Sequence, residues 1–553
     1  VIKFLPHDVA DLEPVLEMLN AQDSSNLSDW RTKYVLLVWL SMIILVPFDL
    51  ESVDTEGNRA IFEKILANCR LYVTESGPNR QAAAMLLGRF LTRPDITSLG
   101  YLDSFLDEII AKIDTCLQDL DKIFHVIGCY NALVEIFKYG HRKELLPVIP
   151  KVFTLIKSGD DSTKAPAIGN TNLRKLKIKL AHRVGLTYLK PVVAKWRYQR
   201  GSRSLTDNLN KSVSSALVSN ITPSSANQGK KSQQGNQDDE EDEDLDFDDI
   251  DEDNLELIFD QLLNGLNDKD TVVRWAAAKG IGRLTGRLHI DMADQVVESI
   301  IGLFERENDN SWHGGCLALA ELARRGLLLP ERLSQVFPLL YRALHFDLNL
   351  GTHSLGANVR DAACYLSWSF ARAYDSGIVN NYSVEHSKVL LNASLFDREV
   401  NCRRAASAAF QEHVGRTGHF PHGLELLTET DYFTLGNRFN AYLNVSTFVA
   451  QFDVYCQSMV EHLVDKKLGH WEMGLRQLTS QTLSVLTPFL PEYMVSTLLP
   501  RLATDCVSPN LNTRHGATLA VAEILIGLCG KSHLHYSLEK IKRIHQQHLN
   551  QKE

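Results

Sequence analysis

The chain has 553 residues, which is too long for one hydrophobic core because such cores stop growing at about 250–300 residues. An apolar fraction of 44% with only 17 prolines indicates a folded protein and excludes a wholly disordered one. The formal net charge of −10 is unevenly distributed, since 13 acids lie within residues 238–253, so the rest of the chain is close to neutral. We therefore expect several domains or an array of repeats.

The longest apolar run in the first part of the chain is YVLLVWLSMIILV, residues 34–46, and it ends at Pro47. A membrane-spanning helix needs about 20 apolar residues, so this run predicts a buried helix and no membrane span. The chain begins at Val1 without a leader-like segment, and its last residues are helical in character. We expect it to be a processed chain or a piece of a longer protein.

A basic stretch between residues 162 and 206 contains no acid. One interpretation is a solvated helix face that the later acidic residues screen, and the alternative is a docking patch for an acidic partner. A nucleic-acid partner is not expected, because the nearby polyanion would compete with phosphates and few aromatic residues are interleaved. The basic residues are Lys164, Arg174, Lys175, Lys177, Lys179, Arg183, Lys190, Lys195, Arg197, Arg200 and Arg203.

Residues 201–253 are predicted to form a disordered linker. Their first part is rich in Ser, Asn, Gln and Gly, and their last 16 residues, DDEEDEDLDFDDIDED, contain no base. Neither composition can bury enough apolar surface to offset the entropy of the chain. The prediction divides the chain into N-terminal helical repeats at 1–200, the linker at 201–253 and HEAT-like repeats at 254–553.

After the linker one pattern recurs: a turn with Asp or Asn, then a helix of small residues that opens with a bulky or basic residue. The opening residues are 38, 48, 43, 67 and 44 positions apart, close to the ~40–47 residues of helix-pair repeats, with one longer insertion. An earlier copy surrounds Arg80. We predict an all-α fold, an α-solenoid of HEAT/armadillo-like helix-pair repeats interrupted by a disordered acidic linker. The opening residues after the linker are Arg274, Trp312, Arg360, Arg403, His470 and Arg514.

The segment WAAAKGIGRLTGRL, residues 275–288, contains Gly280, Gly282 and Gly286 and superficially resembles a dinucleotide-binding loop. In that motif the third glycine would occupy position 285, which is Thr285 here, and a buried strand would precede the first. The alanine-rich residues before Gly280 are typical of a helix. We therefore predict packing glycines, with Gly286 as a helix C-cap, and no nucleotide cofactor.

Candidate metal and catalytic residues are isolated rather than grouped. His413, His419 and His422 lie close in sequence with Cys402 upstream, but none forms a pair on one helix with a carboxylate partner. His313 and Cys316 supply half of a metal site at most. Nine dispersed cysteines without a C-x2-C pair favour a reducing compartment. We predict no metal site and, without a nucleophile motif, no enzymatic activity.

Several segments go beyond a generic repeat. The strings WHGGCLALAELARRGLLLPERL, NVRDAACYLSWSFARAYD, DREVNCRRAASAAFQEHVGRTGHFPHG and DYFTLGNRFNAYL, with GLTYLKPVVAKWRYQRGSRSL before the linker, resemble the tubulin-folding cofactor D family. The resemblance covers nearly the whole chain except the linker, which matches only in its acidic character.

The resemblance implies a cytoplasmic chaperone, associated with the cytoskeleton and centrosome, that binds β-tubulin and assists assembly and disassembly of the αβ-tubulin heterodimer. It further implies partnership with tubulin cofactors C and E and with an Arf-like small GTPase. Because tubulin is acidic, we predict that basic residues of the repeats contact tubulin or the GTPase. The candidates are Arg360, Arg403, Arg404 and Arg438.

Two other binding classes remain open on the sequence alone. A HEAT-repeat nuclear transport receptor would also be a helical solenoid with an acidic loop, and would bind a Ran-like GTPase. A phosphatase scaffold subunit would show more uniform repeat lengths than those found here.

Overall fold

A computed structural model describes residues 4–23, 26–54, 57, 59–117, 119–157, 169–201 and 252–529. These residues are mostly helical and group into two units, one with residues up to 195 and from 252 to 299, the other with 196–201 and 300–529. Residues 202–251 of the predicted linker lie outside the described residues. The described chain resumes at Glu252 with the helix Glu252–Leu266.

In the first unit, short 3-10 turns at Val9–Asp11, Leu27–Asp29, Leu50–Ser52, Leu120–Lys122, Leu146–Val148 and Thr285–Arg287 connect the α-helices. The α-helices are Leu12–Asn20, Trp30–Ile43, Ala60–Val73, Asn79–Leu91, Pro94–Thr97, Tyr101–Cys116, Ile123–Tyr139, Arg142–Leu145, Ile149–Lys157, Thr171–Tyr188, Glu252–Leu266, Thr271–Leu284 and Ile290–Ile301, of which the last ends across the boundary. The predicted buried helix of residues 34–46 lies within and just beyond Trp30–Ile43.

Small residues lie where these helices touch, as the repeat pattern predicts. A Cβ atom on Gly128 would lie 2.0 Å from the carbonyl oxygen of Val73, and one on Gly88 would lie 2.8 Å from the backbone of Glu135. Side chains cannot be accommodated at such distances, so glycine lets neighbouring backbones approach. Gly280 follows the same rule, because its Cβ would meet His182 at 3.0 Å and Leu262 at 3.1 Å.

The repeat order continues across the predicted linker. Helix Thr171–Tyr188 packs directly against Thr271–Leu284 although 82 residues separate them in sequence. Their N-terminal ends are joined by Arg174, whose Nε lies 2.8 Å from Oδ2 of Asp268, and by a 2.7 Å hydrogen bond from Thr171 Oγ1 to Asp270. Residues 252–299 therefore group with the helices before the linker rather than with the helices after residue 300.

In the second unit, 3-10 turns at Gly302–Glu305, Pro330–Arg332, Asn380–Tyr382, Thr434–Gly436 and Thr487–Phe489 and π-helical turns at Asn440–Val445, Leu463–Lys467 and Met494–Leu498 interrupt the chain. The α-helices are Asp309–Arg324, Leu333–Leu344, Ala357–Ala373, Ser376–Val379, Ser383–Phe396, Val400–Thr417, Gly423–Glu429, Ser446–Val449, Asp453–His462, Met473–Leu486, Pro491–Tyr493, Leu499–Asp505 and Leu511–Cys529. The helices of the predicted pattern, such as Asp309–Arg324, Ala357–Ala373 and Val400–Thr417, pack side by side.

Two features of this unit were not predicted. A two-residue antiparallel hairpin joins Leu348–Asn349 to Ser354–Leu355, with Leu348 opposite Leu355. The predicted long insertion before His470 contains a further repeat helix, Asn440–Val449, which packs against Met473–Leu486. The all-α repeat class itself is confirmed. No helix among the described residues is both long and apolar enough to cross a membrane.

The opening residue of the repeat pattern makes a recurring backbone contact. Its side chain donates to the carbonyl oxygen six residues upstream, which ties the first turn of the helix to the preceding loop. Arg360 reaches back 14 residues, to Phe346, because the hairpin lengthens its loop. The six-residue contacts are Arg274 to Asp268 (2.6 Å), Trp312 to Arg306 (2.9 Å), Arg403 to Asp397 (3.0 Å), Arg476 to His470 (2.6 Å) and Arg514 to Ser508 (2.9 Å).

Two sequence predictions about these helices were wrong. His470 was aligned as an opening residue, but Arg476 occupies that position and His470 supplies the accepting carbonyl. Gly286 was predicted to be a helix C-cap, but the C-cap of Thr271–Leu284 is Thr285, and Gly286 lies within the 3-10 turn Thr285–Arg287 without a positive φ. The 3-10 turn, rather than a C-cap glycine, provides hydrogen-bond donors for the unpaired carbonyl groups at the end of the helix.

Candidate partner-binding surface

Two of the four predicted contact arginines are buried. Arg403 is 2% exposed and donates from Nε to the carbonyl of Leu435 at 2.9 Å and from Nη2 to that of Gly436 at 3.1 Å, besides its bond to Asp397. A guanidinium has five donors, and here most of them satisfy buried carbonyl groups. Arg403 therefore joins helix Val400–Thr417 to the loop that precedes the next repeat helix.

Arg360 is 6% exposed and forms a bidentate ion pair with Asp397, with N–O distances of 2.6 and 3.2 Å. Burial raises the pKa of Asp397, but the Arg360 guanidinium and the backbone N–H of Glu399 outweigh it, and the net pKa is lowered. Burial lowers the pKa of Arg360, and its pairing with Asp397 reverses this shift. Both groups therefore stay charged, and the pair holds adjacent repeats together.

Polar groups surround this pair. His470 Nε2 lies 3.6 Å from Asp347, which is itself 3.8 Å from Arg360. Burial raises the pKa of Asp347, but the hydrogen bonds from His470 and Ser354 and the charge of Arg360 bring it to about 2. Arg360, Asp347, Asp397 and His470 line a cavity of about 50 Å³ in the second unit. Arg360 is therefore part of an internal ionic network.

The other two predicted contact arginines are partly exposed to solvent. Arg404 is half-buried; its Nε donates to the carbonyl of Tyr432 at 3.2 Å, and its guanidinium carbon lies 3.9 Å from the centre of the Tyr432 ring. Arg438 forms a 2.9 Å ion pair with Glu472, and 31% of its side chain is exposed. Arg404 borders one loop, and Arg438 belongs to it.

That loop, residues 431–439, is here called the aromatic loop. It exposes Tyr432 (53%), Phe433 (80%) and Phe439 (63%), and the first two rings meet edge to face at 5.5 Å. Exposed aromatic rings that lie close together are uncommon on a soluble surface and are typical of binding sites. Sequence reasoning used this segment only as part of a family resemblance and did not identify its aromatic residues as a surface.

Side chains of the loop itself fix its conformation. Asp431 Oδ1 accepts from the backbone N–H groups of Phe433 (2.9 Å) and Thr434 (2.6 Å), and these bonds lower its pKa. Asn437 Oδ1 accepts from the N–H of Phe439 at 2.9 Å. Such Asx turns hold a loop in one conformation. Arg403 also donates to the carbonyls of Leu435 and Gly436, so hydrogen bonds hold the backbone on which the aromatic rings are exposed.

The histidines that were considered as metal ligands lie in different surroundings. His413 is buried and donates from Nε2 to the carbonyl of Ser367 at 2.9 Å, whereas His422 is on the surface beside Glu425. Cys402 donates to the carbonyl of Ala357. Burial raises the pKa of the Cys316 thiol, so it stays protonated. Among the residues that the structure describes, no group of three His, Cys, Asp or Glu side chains could hold a metal ion.

Comparisons with known proteins identify the family. The family described as "Tubulin-specific chaperone D-like, ARM repeats" matches residues 172–424, and "Tubulin-specific chaperone D-like, ARM repeat" matches residues 1–113. A tubulin-specific chaperone D of Dictyostelium discoideum is 34% identical over 564 residues, which cover 94% of this chain and 36% of that protein. The chain belongs to the tubulin-specific chaperone D family.

A second member of the family, the tubulin-folding cofactor D of Schizosaccharomyces pombe, is 28% identical over 545 residues, 94% of this chain and 44% of that protein. The chain therefore spans less than half the length of these two relatives. Among solved structures, one of Kap95p with RanGDP is 11% identical and covers 98% of this chain and 60% of that chain, with a TM-score of 0.43. That likeness is too small to support a functional comparison.

Proposed function

We propose that the chain is the tubulin-binding part of a tubulin-folding cofactor, and that the aromatic loop with Arg404 and Arg438 contacts β-tubulin. The names of its two relatives support the general role. The observation that supports this loop as the contact site is its group of exposed aromatic rings, held on a backbone fixed by Asx turns. A supported loop loses little entropy on binding, so more of its contact energy becomes affinity.

The chemistry of the loop suits a large protein partner. Tyr and Arg are the residues that most often dominate the energy of an interface, and aromatic rings bury 150–250 Å² each. Arg404 is oriented by its stacking on Tyr432 and adds positive charge beside the rings. Arg360 and Arg403 belong to the proposal only as positioning residues, since their guanidinium groups are buried and bonded inside the fold.

The wider activity follows from the family. We propose that the chain acts with tubulin cofactors C and E and an Arf-like small GTPase to assemble and disassemble αβ-tubulin, in the cytoplasm and at the cytoskeleton and centrosome. It needs no nucleotide or metal of its own in this role, because the bound proteins would supply the nucleotide.

The test is binding of purified tubulin to the chain and to a variant with Tyr432→Ser, Phe433→Ser and Phe439→Ser. Loss of interface hot spots worth about 2 kcal/mol or more predicts binding at least ~30-fold weaker. The matched control is Phe48→Ser, because Phe48 is 60% exposed but lies in the first unit. Equal tubulin binding by the triple variant and the unmodified chain would reject the loop as the contact.

The nuclear transport receptor and other scaffold classes are tested separately. Precipitates of the chain from cell extract are probed for β-tubulin, the Arf-like GTPase, Ran and phosphatase subunits. We expect β-tubulin and the GTPase. Recovery of Ran without tubulin would reject the proposed function.

A further inference from the structure

A cluster of basic side chains in the first unit lies on two neighbouring repeat helices. Lys179 and Arg183 are four residues apart on Thr171–Tyr188, and Lys279 and Arg283 are four apart on Thr271–Leu284. Residues at this spacing share one helix face. The two pairs meet near His182, whose Nε2 lies 3.5 Å from Nη1 of Arg283. We call these four residues the basic ridge.

Carboxylates do not neutralise the basic ridge. Among the residues that the structure describes, none of the four side chains of the basic ridge forms an ion pair. Glu135, which lies close enough to affect Lys179 and Arg183, is paired with Lys138 at 2.6 Å.

In the second unit, arginines at comparable helix positions do form ion pairs. Arg324 and Arg416, which lie in the last turns of their helices as Arg283 does, pair with Glu321 and Glu412 respectively. Arg325 also pairs with Glu321. The missing carboxylates are therefore a local property of the basic ridge and not a general feature of the repeat.

The pKa values of Lys179, Arg183 and the neighbouring His182 reflect this imbalance. Burial lowers the pKa of Lys179, and the neighbouring charge of Lys175 lowers it further. Burial and the adjacent Arg283 lower the pKa of Arg183 in the same direction. For His182, burial and then the charges of Arg183 and Arg283 bring the pKa to about 3, so its imidazole is neutral. Lys179 and Arg183 are half-buried, and half-buried cations without counter-charges are stabilised when an anion binds beside them.

The chain itself supplies a suitable polyanion. Residues 238–250, here called the acidic tract, contain ten acids and no base, and one further residue, Asp251, separates them from helix Glu252–Leu266. That helix lies against both ridge helices, because a Cβ on Gly185 would be 3.0 Å from Leu284 and 3.3 Å from Ile258. Glu252 is six residues before Ile258, or about 9 Å along the helix. The acidic tract is therefore joined to the chain at the end of the helices where Arg183 and Arg283 lie.

The length of the acidic tract is sufficient for contact. Thirteen extended residues reach about 43 Å, and a helix with its side chains is about 10–12 Å across. Thirteen residues are therefore long enough to span the four cations of the ridge. Tethering on the same chain gives it an effective concentration of the order of millimolar, which favours a weak polyanion contact.

We propose that the acidic tract docks on the basic ridge of its own chain. The docked tract covers the ridge in the free protein, so that another acidic surface must displace it to bind there. This contact is independent of the aromatic loop and of the function proposed for it.

The test uses a fluorescent peptide of sequence DDEEDEDLDFDDI, residues 238–250, and the full chain in which the same ten acids are changed to Asn or Gln. We expect this neutralised chain to bind the peptide at least tenfold more tightly than the unmodified chain, whose ridge is already covered. Adding Lys179→Gln, Arg183→Gln, Lys279→Gln and Arg283→Gln should weaken binding at least tenfold. The matched control instead carries Lys112→Gln, Lys143→Gln, Lys269→Gln and Lys388→Gln and should bind like the neutralised chain.

Two results would overturn the proposal: equal peptide binding by the neutralised and unmodified chains, or unchanged binding after the ridge substitutions. A second measurement does not depend on variants. Carbodiimide coupling of carboxylates to lysines in the unmodified chain should join the acidic tract to Lys179 and Lys279 more often than to Lys112 and Lys143. The opposite distribution would also overturn the proposal.

Discussion

Neighbouring arginines at the start of helix Val400–Thr417 should have separable roles. Replacing Arg403 with Met removes hydrogen bonds to the carbonyls of Asp397, Leu435 and Gly436 and leaves these acceptors without their donor. Each bond is worth about 0.5–1.5 kcal/mol, and each unsatisfied buried acceptor adds a penalty, so we expect the free energy of unfolding to fall by roughly 3–5 kcal/mol. Arg404→Met loses one exposed hydrogen bond and a cation–π contact, together about 1 kcal/mol.

The assay is urea unfolding of both variants together with tubulin binding at a temperature where both are folded. Arg403→Met should lose stability, and hydrogen exchange in residues 435–441 should accelerate because the loop has lost its support. Arg404→Met should lose only about 1 kcal/mol of stability and bind tubulin more weakly. If Arg403→Met unfolds within 1 kcal/mol of the unmodified chain, Arg403 is not the structural anchor inferred from its burial.

Three further predictions test the packing, the buried histidines and the loop. Gly128→Ala should destabilise the first unit strongly, since the new Cβ would lie 2.0 Å from the Val73 carbonyl oxygen, whereas Gly77→Ala, which meets nothing within 4 Å, should unfold at nearly the same temperature as the unmodified chain. Burial brings the pKa of His413 to about 4, below the ordinary 6.5, so the unfolded chain binds the proton more readily. The stability that neutral His413 contributes should be present above pH 6.5 and should fall by about 2 kcal/mol by pH 5, so urea unfolding of His413→Gln should depend less on pH by that amount than unfolding of the unmodified chain. Asn437→Ala removes the acceptor for Phe439 N–H and should weaken tubulin binding while leaving the melting temperature within about 2 °C; unchanged affinity would mean that the turn does not position the rings.

The sequence was sufficient for the repeat class because helix periodicity and small residues at close contacts depend on local spacing. Arg274, Arg403 and Arg514 were aligned correctly since each begins a helix after a turn of similar length. Where the loop changes, the alignment failed. His470 was chosen in place of Arg476, and the helix Asn440–Val449 was not recognised because a π-helical turn disturbs its period.

The proposed contact surface was harder to predict, because a basic residue in a repeat helix has the same sequence signature whether it is buried or exposed. Arg360 and Arg403 were nominated for their charge, but their acceptors are carbonyls and a carboxylate that come from other segments of the chain. The exposure of Phe433 depends in the same way on Asx turns and on support from Arg403. Such tertiary relations have no fixed spacing in sequence.

The pairing of Arg403 with Arg404 shows how the fold and the proposed function are related at this surface. Successive helix residues point about 100° apart, so one arginine of the pair faces the next repeat while the other faces the solvent. The first satisfies the backbone of the aromatic loop, and the second stacks on a ring of the same loop. A change that disturbs repeat packing at Arg403 would therefore also move the rings, which means that loss of tubulin binding by itself does not identify a contact residue. Only variants that retain unfolding stability while losing affinity, as expected for Arg404 and Asn437, locate the contact.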